Sequence, residues 1–167
     1  MKCEQCSCLT YIIFITKEHE KLCPGCYMNK LTPRQIAVKV AWSFIGQPYN
    51  WGGDDPIKGF DCSGFVIECL KSAGVLPQKG DWTANGLYGM FNKTFWSGKA
   101  ISQGCLVFYG TSKAIHVELC LDDVYSIGAS GGGSKTLTEI NAIKQNAYIK
   151  VRPFRSRKGI YGFVDPF

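Results

Sequence analysis

No run in the 167-residue sequence approaches the 18 or so apolar residues that a membrane-spanning helix needs. That excludes a helical membrane span. Charge is sparse at 19% against 46% hydrophobic residues, which is the balance of a folded globular chain and excludes a disordered tail. Histidine is scarcer still. His19 and His116 are the only two, so chemistry that needs an imidazole has two candidates. Acids are outnumbered, 13 against 19 Lys and Arg, for a formal net charge of +6. The excess suits an anionic polymer such as cell wall or nucleic acid, though only weakly. The one N-terminal apolar run, Tyr11 to Ile15, is too short for a signal-peptide core and has cysteines and acids around it. The expectation is a chain made and kept in the cytosol unless other machinery exports it.

Cysteine is abundant. Nine is an odd number, and in a reducing compartment it reads as metal ligands and a nucleophile rather than a disulfide framework. Cys3-Glu4-Gln5-Cys6 and Cys23-Pro24-Gly25-Cys26 form two C-x2-C pairs whose separation fits a four-cysteine zinc site. Between them, Leu9 to Thr16 is β-branched and aromatic, like a strand. The segment resembles a zinc ribbon with too little apolar mass to fold without metal. Redox dithiols or free thiols in a loose tail are the alternative. Cys8 is a spare that can stand in for Cys6, and His19 matches neither pair. Four protein ligands leave no open position, so such a site is structural.

A second cysteine pattern is Phe60-Asp61-Cys62-Ser63-Gly64-Phe65-Val66. Phe65, Val66, Cys69, Leu70 and Ala73 form one face of an amphipathic helix that Gly74 ends. Asp61 and Ser63 are capping residues. Cys62 therefore sits at the positive end of a helix, a setting that lowers a thiol pKa below about 8.5. A buried structural thiol is the bland alternative, and Cys69 and Cys105 are read that way.

Around this helix, Thr32-Pro33 starts a first helix to Gly46, and Pro48 to Gly59 is a Gly, Pro and Asp loop. A short helix is expected near Ala84 to Phe91. Trp82, Tyr88, Phe91, Phe95 and Trp96 supply either groove walls or satellite core. Strands are expected at Gly104–Tyr109, Ile115–Leu121, Val124–Ala129 and Ala147–Phe154, with a short helix over Thr138–Asn146 and a last strand or anchor at the C-terminus. Alternation puts His116, Glu118 and Cys120 on one face. Gly131 to Thr136 lacks the phosphate-loop pattern and reads as a flexible loop. Residues 144 to 158 carry Lys144, Lys150, Arg152, Arg155, Arg157 and Lys158 and no acid, the clearest basic patch.

Three motifs stand in order: Tyr49-Asn50-Trp51-Gly52-Gly53, Asp61-Cys62-Ser63-Gly64-Phe65-Val66, and Ile115-His116-Val117. Together they resemble the NlpC/P60 family of papain-like cysteine peptidases over roughly Thr32 to Tyr125. The resemblance implies an α+β fold, helices packed on an antiparallel sheet, in residues 32–167, with residues 1–31 as the zinc-ribbon-like segment. It implies Cys62 as nucleophile, His116 as general base and Tyr49 as an oxyanion donor, with Tyr49 as a loop anchor the alternative; Trp51 reads as packing. The family's third polar residue falls at Gly128, expected opposite His116, where the side chain is missing. Glu118, Ser126, Ser130, a backbone carbonyl or water are the substitutes, and nothing in the sequence chooses among them. The implied activity is hydrolysis of peptidoglycan stem peptides between γ-D-glutamate and a diamino acid, with no catalytic cofactor and Zn2+ only in the ribbon. The implied setting is a phage lysis enzyme or tail component acting at the bacterial wall, with phage tail or lysis proteins as partners. An inactive wall-binding or tail-assembly module is the competing reading, and a nucleic-acid binder is suggested by charge alone.

Overall fold

The computed structural model describes residues 1–16, 19–92 and 100–167. It divides into two units, Met1–Thr32 and Pro33–Phe167. In the first, strands β1 (Phe14–Ile15) and β2 (Lys21–Leu22) pair antiparallel, and helix α1 (Pro24–Asn29) follows. The strand expected over Leu9–Thr16 forms only at its end; Leu9 instead bridges to Lys2. Cys3 and Leu22 are the buried hydrophobic residues described here, while Leu9, Tyr11, Ile12 and Ile15 are exposed. So small a core cannot hold a fold by burial alone.

The second unit begins with α2 (Pro33–Ser43) and a minimal hairpin, β3 (Asp54–Asp55) with β4 (Gly59–Phe60). Helices α3 (Cys62–Ser72) and α4 (Ala84–Phe91) come next, then β5 (Leu106–Gly110), β6 (Ala114–Cys120) and β7 (Tyr125–Ser130). Helix α5 (Glu139–Gln145), β8 (Tyr148–Pro153), a 3-10 turn at Phe154–Ser156 and β9 (Ile160–Val164) complete it. The five long strands form one antiparallel sheet in the order β8-β7-β6-β5-β9. No helix among the described residues is long and apolar enough to cross a membrane.

Helix α3 forms where its capping residues dictate. Asp61 is extended, and its Oδ1 accepts from the backbone N–H groups of Ser63 and Gly64, both at 2.9 Å. Losing such a cap costs about 0.5–2 kcal/mol. Gly74 ends the helix with a φ of +72° that other residues resist. Phe65, Val66, Cys69 and Leu70 are fully buried against Val117, Leu119, Ile127 and Ile149 of the sheet and α2. Each large apolar side chain so buried contributes about 1.5–3 kcal/mol. The opposite face of the sheet carries a smaller cluster of Cys105, Val107, Tyr109, Cys120 and Phe154. Tyr88 packs edge-on to Phe108 and Tyr161, and Trp82 and Phe91 are partly buried on the main core, so these aromatics are satellite core. Phe95 and Trp96 lie outside the described residues.

The loop before α3 is bound to the helix through glycines. Asp61 donates its backbone N–H to the Gly53 carbonyl at 2.9 Å, and that oxygen also meets Gly64, where a Cβ would stand 2.1 Å from it. Only glycine admits this approach. Gly64→Ala is expected to lower stability by about 1–3 kcal/mol, read as a fall in Tm by thermal denaturation. An unchanged Tm would show that the loop can move away without loss.

Candidate active site

The first turn of α3 places Cys62 half-buried, with its thiol near the backbone N–H groups of Val117 on β6 and Ser63 on its own helix. Those donors favour a thiolate. Burial, and then the negative charge of Asp61, outweigh them and push the Cys62 thiol up to about 11. The sequence expectation of a lowered thiol pKa is thereby corrected. A helix end is a local feature that sequence reveals, but its field is answered here by the Asp61 carboxylate that caps the same helix. Burial therefore favours the thiol form of Cys62 at neutral pH.

His116 precedes Val117 on β6, and the Val117 backbone N–H reaches the Cys62 thiol. The imidazole is buried, 8% exposed, and burial lowers its pKa below the ordinary value; Glu118 pulls the other way without prevailing. His116 is therefore neutral at pH 7. Its Nε2 stands 2.8 Å from Glu118 Oε1. An ionised carboxylate only accepts, so the proton of the neutral ring sits on Nε2 and the Nδ1 lone pair is free to take a proton. The thiol and imidazole make no direct hydrogen bond among the described residues, and such contacts commonly tighten only with substrate bound.

Glu118 is wholly buried and held from every side. Ser126 donates Oγ–H to Oε2 at 2.6 Å, and Arg152 donates through Nη2 to Oε1. Burial alone would raise this carboxyl, but His116 and Arg152 together hold it down at about 2. The register explains why it fits. Leu119 pairs with Ile127 and Cys120 with Ser126, and continuing that ladder sets Gly128 across from Glu118 and Ser130 across from His116. The expectation that Gly128 faces His116 is corrected by two positions of register. A Cβ on Gly128 would lie 2.5 Å from Glu118 Cγ, so the glycine is the space that the glutamate fills. Of the substitutes named from sequence, Glu118 touches the imidazole, Ser126 supports Glu118, and Ser130 accepts from Arg157 Nη2 at 2.8 Å. Arg152 and Arg157 were missed as site residues; their place in a basic run was the only signal.

Tyr49 is buried, with its ring against Gly132, where a Cβ would stand 2.2 Å from the ring carbon Cδ1. Burial, then the charges of Cys62 and Asp61, push the phenol upward, so its O–H remains a donor within electrostatic reach of Cys62. Trp51 is 49% exposed rather than packed, and its place is fixed by a backbone N–H to the Thr136 carbonyl at 2.8 Å.

A half-buried thiol at the start of α3, a histidine next in sequence to the residue whose N–H reaches that thiol, and a carboxylate on the imidazole share the α3–β6 region. The profile of the NlpC/P60 family matches residues 46–153. The chain belongs to the NlpC/P60 family. Over 77 residues it is 42% identical to the bifunctional muramidase/DL-endopeptidase CwlT of Bacillus subtilis, covering 46% of this chain and 22% of that protein. Over 77 residues it is 34% identical to the murein DD-endopeptidase MepH of Escherichia coli, covering 46% of this chain and 28% of that protein. The chain thus spans under a third of the length of these curated relatives. The structure of the peptidoglycan hydrolase RipB from Mycobacterium tuberculosis superposes with a TM-score of 0.59 at 25% identity, over 86% of this chain and 67% of that one.

The paired cysteines lie outside the NlpC/P60 match. Sγ atoms of Cys3, Cys6, Cys23 and Cys26 all fall within 4.8 Å of one another, a set able to hold a metal ion. A tetrahedral ion with metal–sulfur bonds of about 2.3 Å separates its sulfurs by about 3.8 Å. Cys6 and Cys23 stand 3.8 Å apart. Cys23 is the N-cap of α1, with Pro24 and Gly25 in its first turn, and backbone N–H groups of Cys23 and Cys6 hold the Cys3 thiol down at about 6. Cys8 lies outside the four, its sulfur 3.2 Å from that of Cys6. His19 is exposed at a φ of +63° and takes no part.

Proposed function

We propose that the Pro33–Phe167 unit is a cysteine endopeptidase that cuts peptidoglycan stem peptides, with the γ-D-glutamyl–diamino acid amide as the bond. The observation that carries this is the neutral His116, fixed by Glu118 on Nε2, next to the residue whose N–H reaches Cys62. The endopeptidase and peptidoglycan-hydrolase names of the relatives support the substrate class. His116 takes the Cys62 proton as sulfur attacks the amide carbonyl. The oxyanion of the tetrahedral intermediate accepts from the Cys62 backbone N–H and the Tyr49 hydroxyl. His116 then gives its proton to the leaving amine, and water, deprotonated by His116, releases the acyl group and restores the thiol.

The test is digestion of purified peptidoglycan, with mass analysis of the released fragments and Cys62→Ala as the blank. Fragments ending at the γ-glutamyl carboxyl are expected from the natural protein alone. Binding to the wall without release of fragments anywhere between pH about 5 and 9, a span on both sides of the ordinary histidine pKa, would overturn the enzyme in favour of a binding module.

The four clustered thiols support a structural Zn2+ on Cys3, Cys6, Cys23 and Cys26, supplying the stability that two buried hydrophobic residues cannot. Elemental analysis should find one zinc per chain, lost in Cys6→Ser and kept in Cys8→Ser. Zinc-free protein from a chelator-free preparation would refute the site.

A further inference from the structure

Cys62 serves the peptidase site, Cys3, Cys6, Cys23 and Cys26 cluster, and Cys69, Cys105 and Cys120 are buried. Cys8 is the thiol left without a role, yet the fold holds it against Cys6. Ser7, between them, takes a φ of +59°, a conformation that residues with a side chain adopt at a cost. The turn is tied at both ends: the Ser7 N–H donates to the Cys3 carbonyl at 2.9 Å, and the Cys3 N–H donates to the Cys8 carbonyl at 3.0 Å. It brings the sulfur of Cys8 to 3.2 Å from that of Cys6, nearer than the 3.8 Å between Cys6 and Cys23. A disulfide needs about 2.05 Å, so these two sulfurs must approach by about 1 Å.

Exposure singles out the same pair. Cys6 and Cys8 are exposed, whereas Cys23 and Cys26 are half-buried and Cys3 is buried. A small oxidant in solvent therefore reaches Cys6 and Cys8 before the other three. A cysteine that holds a metal does so as thiolate, the form that attacks a peroxide. Cys8 lies outside the four and is a free thiol beside it. A reactive thiolate with a second thiol next to it is the arrangement that turns a sulfenic acid into a disulfide. The unit also has little else to hold it together, since Cys3 and Leu22 are its buried hydrophobic residues among those described.

We propose that Cys6 and Cys8 are a peroxide-sensitive modification site, whose disulfide releases the metal from the N-terminal unit. This rests on the zinc reading and adds a regulation to that site. The Cys6 thiolate attacks hydrogen peroxide, the O–O bond breaks, and Cys6 becomes a sulfenic acid while hydroxide leaves. The Cys8 sulfur then attacks the sulfenic sulfur. The S–S bond forms, the S–O bond breaks, and the Cys8 proton departs with the oxygen as water. The two sulfurs are oxidised and the peroxide is reduced. Cys6 is thereby withdrawn from the four, and the three thiolates that remain hold zinc more weakly. The strands and helix of Met1–Thr32 then come apart, while Pro33–Phe167 keeps its own core. A dithiol reductant reverses the step.

The zinc-loaded full chain is treated with hydrogen peroxide, and zinc release is followed with a colorimetric chelator. The peptide that holds Cys3, Cys6 and Cys8 is then fragmented, without reduction, to locate the bond. A Cys6–Cys8 disulfide should accumulate as zinc is released, and dithiothreitol with added zinc should restore the loaded protein. Cys8→Ser keeps all four ligands, so it should hold zinc before treatment as the natural protein does. After peroxide and dithiothreitol it should fail to regain most of that zinc, because an unresolved sulfenic acid at Cys6 goes on to the irreversible sulfinic acid. A bond that joins other cysteines of the cluster, or a Cys8→Ser protein that regains its zinc as fully as the natural one, would overturn the assignment. So would a Cys8→Ser protein without zinc at the start, which would make Cys8 a ligand. The zinc content before treatment separates the two readings. Zinc bound at the start and never released by excess peroxide sinks only the switch; no zinc at the start sinks the metal site, and the release with it.

Discussion

Glu118→Gln is expected to lower kcat by about 10²- to 10⁴-fold, the upper figure being the loss when the orienting carboxylate of a serine triad becomes an amide. Gln keeps the shape but offers an amide that can donate to Nε2, which would turn the lone pair of His116 toward the wrong nitrogen. The effect is large here because Cys62 is pushed up to about 11 and depends on His116 to accept its proton. A site with a preformed thiolate would depend on the base less. Glu118 does not reach the substrate in this scheme, so it is a positioning residue, and the pH profile separates that role from simple loss of structure. His116 must be neutral to act, so the rate falls as pH drops through its pKa, already below 6.5 by burial. Glu118 raises that pKa, and Arg152 and Arg157 lower it. Removing Glu118 therefore moves the acid limb to lower pH while the plateau falls. A variant whose plateau falls with the limb unmoved would mean that Glu118 only supports packing.

The same residue sets the acid stability. The carboxyl of Glu118 is at about 2 in the folded chain against an ordinary 4.5. A lowered carboxyl stabilises the fold above its unfolded pKa, and that contribution is lost as pH falls from about 4.5 through about 2. His116, also lowered, adds stability above 6.5 that is lost in the same direction. Natural protein should therefore lose Tm on acidification. In Glu118→Gln the Glu118 share of that loss disappears, while Tm at pH 7 is lower because Arg152 is left without its carboxylate.

Local rules made much of this legible. Asp61 and Ser63 announce a helix start, Gly74 its end, and alternation puts His116 and Glu118 on one face before any fold is known. What failed depended on distant chain. The orienter of His116 stayed unresolved among Glu118, Ser126 and Ser130 because the choice turns on hairpin register. A turn centred on Asp122-Asp123 does not specify whether Gly128 meets residue 116 or 118. The thiol pKa was misjudged because a helix end shows in sequence and burial does not. The basic run is legible in sequence only as a patch of charge, and it takes the fold to show that Arg152, on the strand beside β7, bonds to a buried acid.

Gly128→His would install a side chain at the family's third position, but in the structure that position is crowded by Glu118. A Cβ at 128 would stand 2.5 Å from Glu118 Cγ and 3.0 Å from its Cβ, and Glu118 is 0% exposed. Even Gly128→Ala must drive the carboxylate off His116 Nε2 and away from Arg152. Both variants are expected to lose about 10²-fold or more in kcat, with a stability loss of about 1–3 kcal/mol from overpacking. Pairing the change with Glu118→Gly tests whether space is the cause. Gly128→His alone crowds the site. With Glu118→Gly, the new imidazole enters from the neighbouring strand into the volume the glutamate leaves, and can accept from Nε2–H of His116. The double variant should therefore be more active than either Gly128→His or Glu118→Gly, a non-additivity expected only of residues that share one volume. Kinetics on released wall fragments, with Tm as the folding control, decide it. A Gly128→Ala protein with natural kcat would show that Glu118 can move aside without loss, and that the glycine is not what seats it.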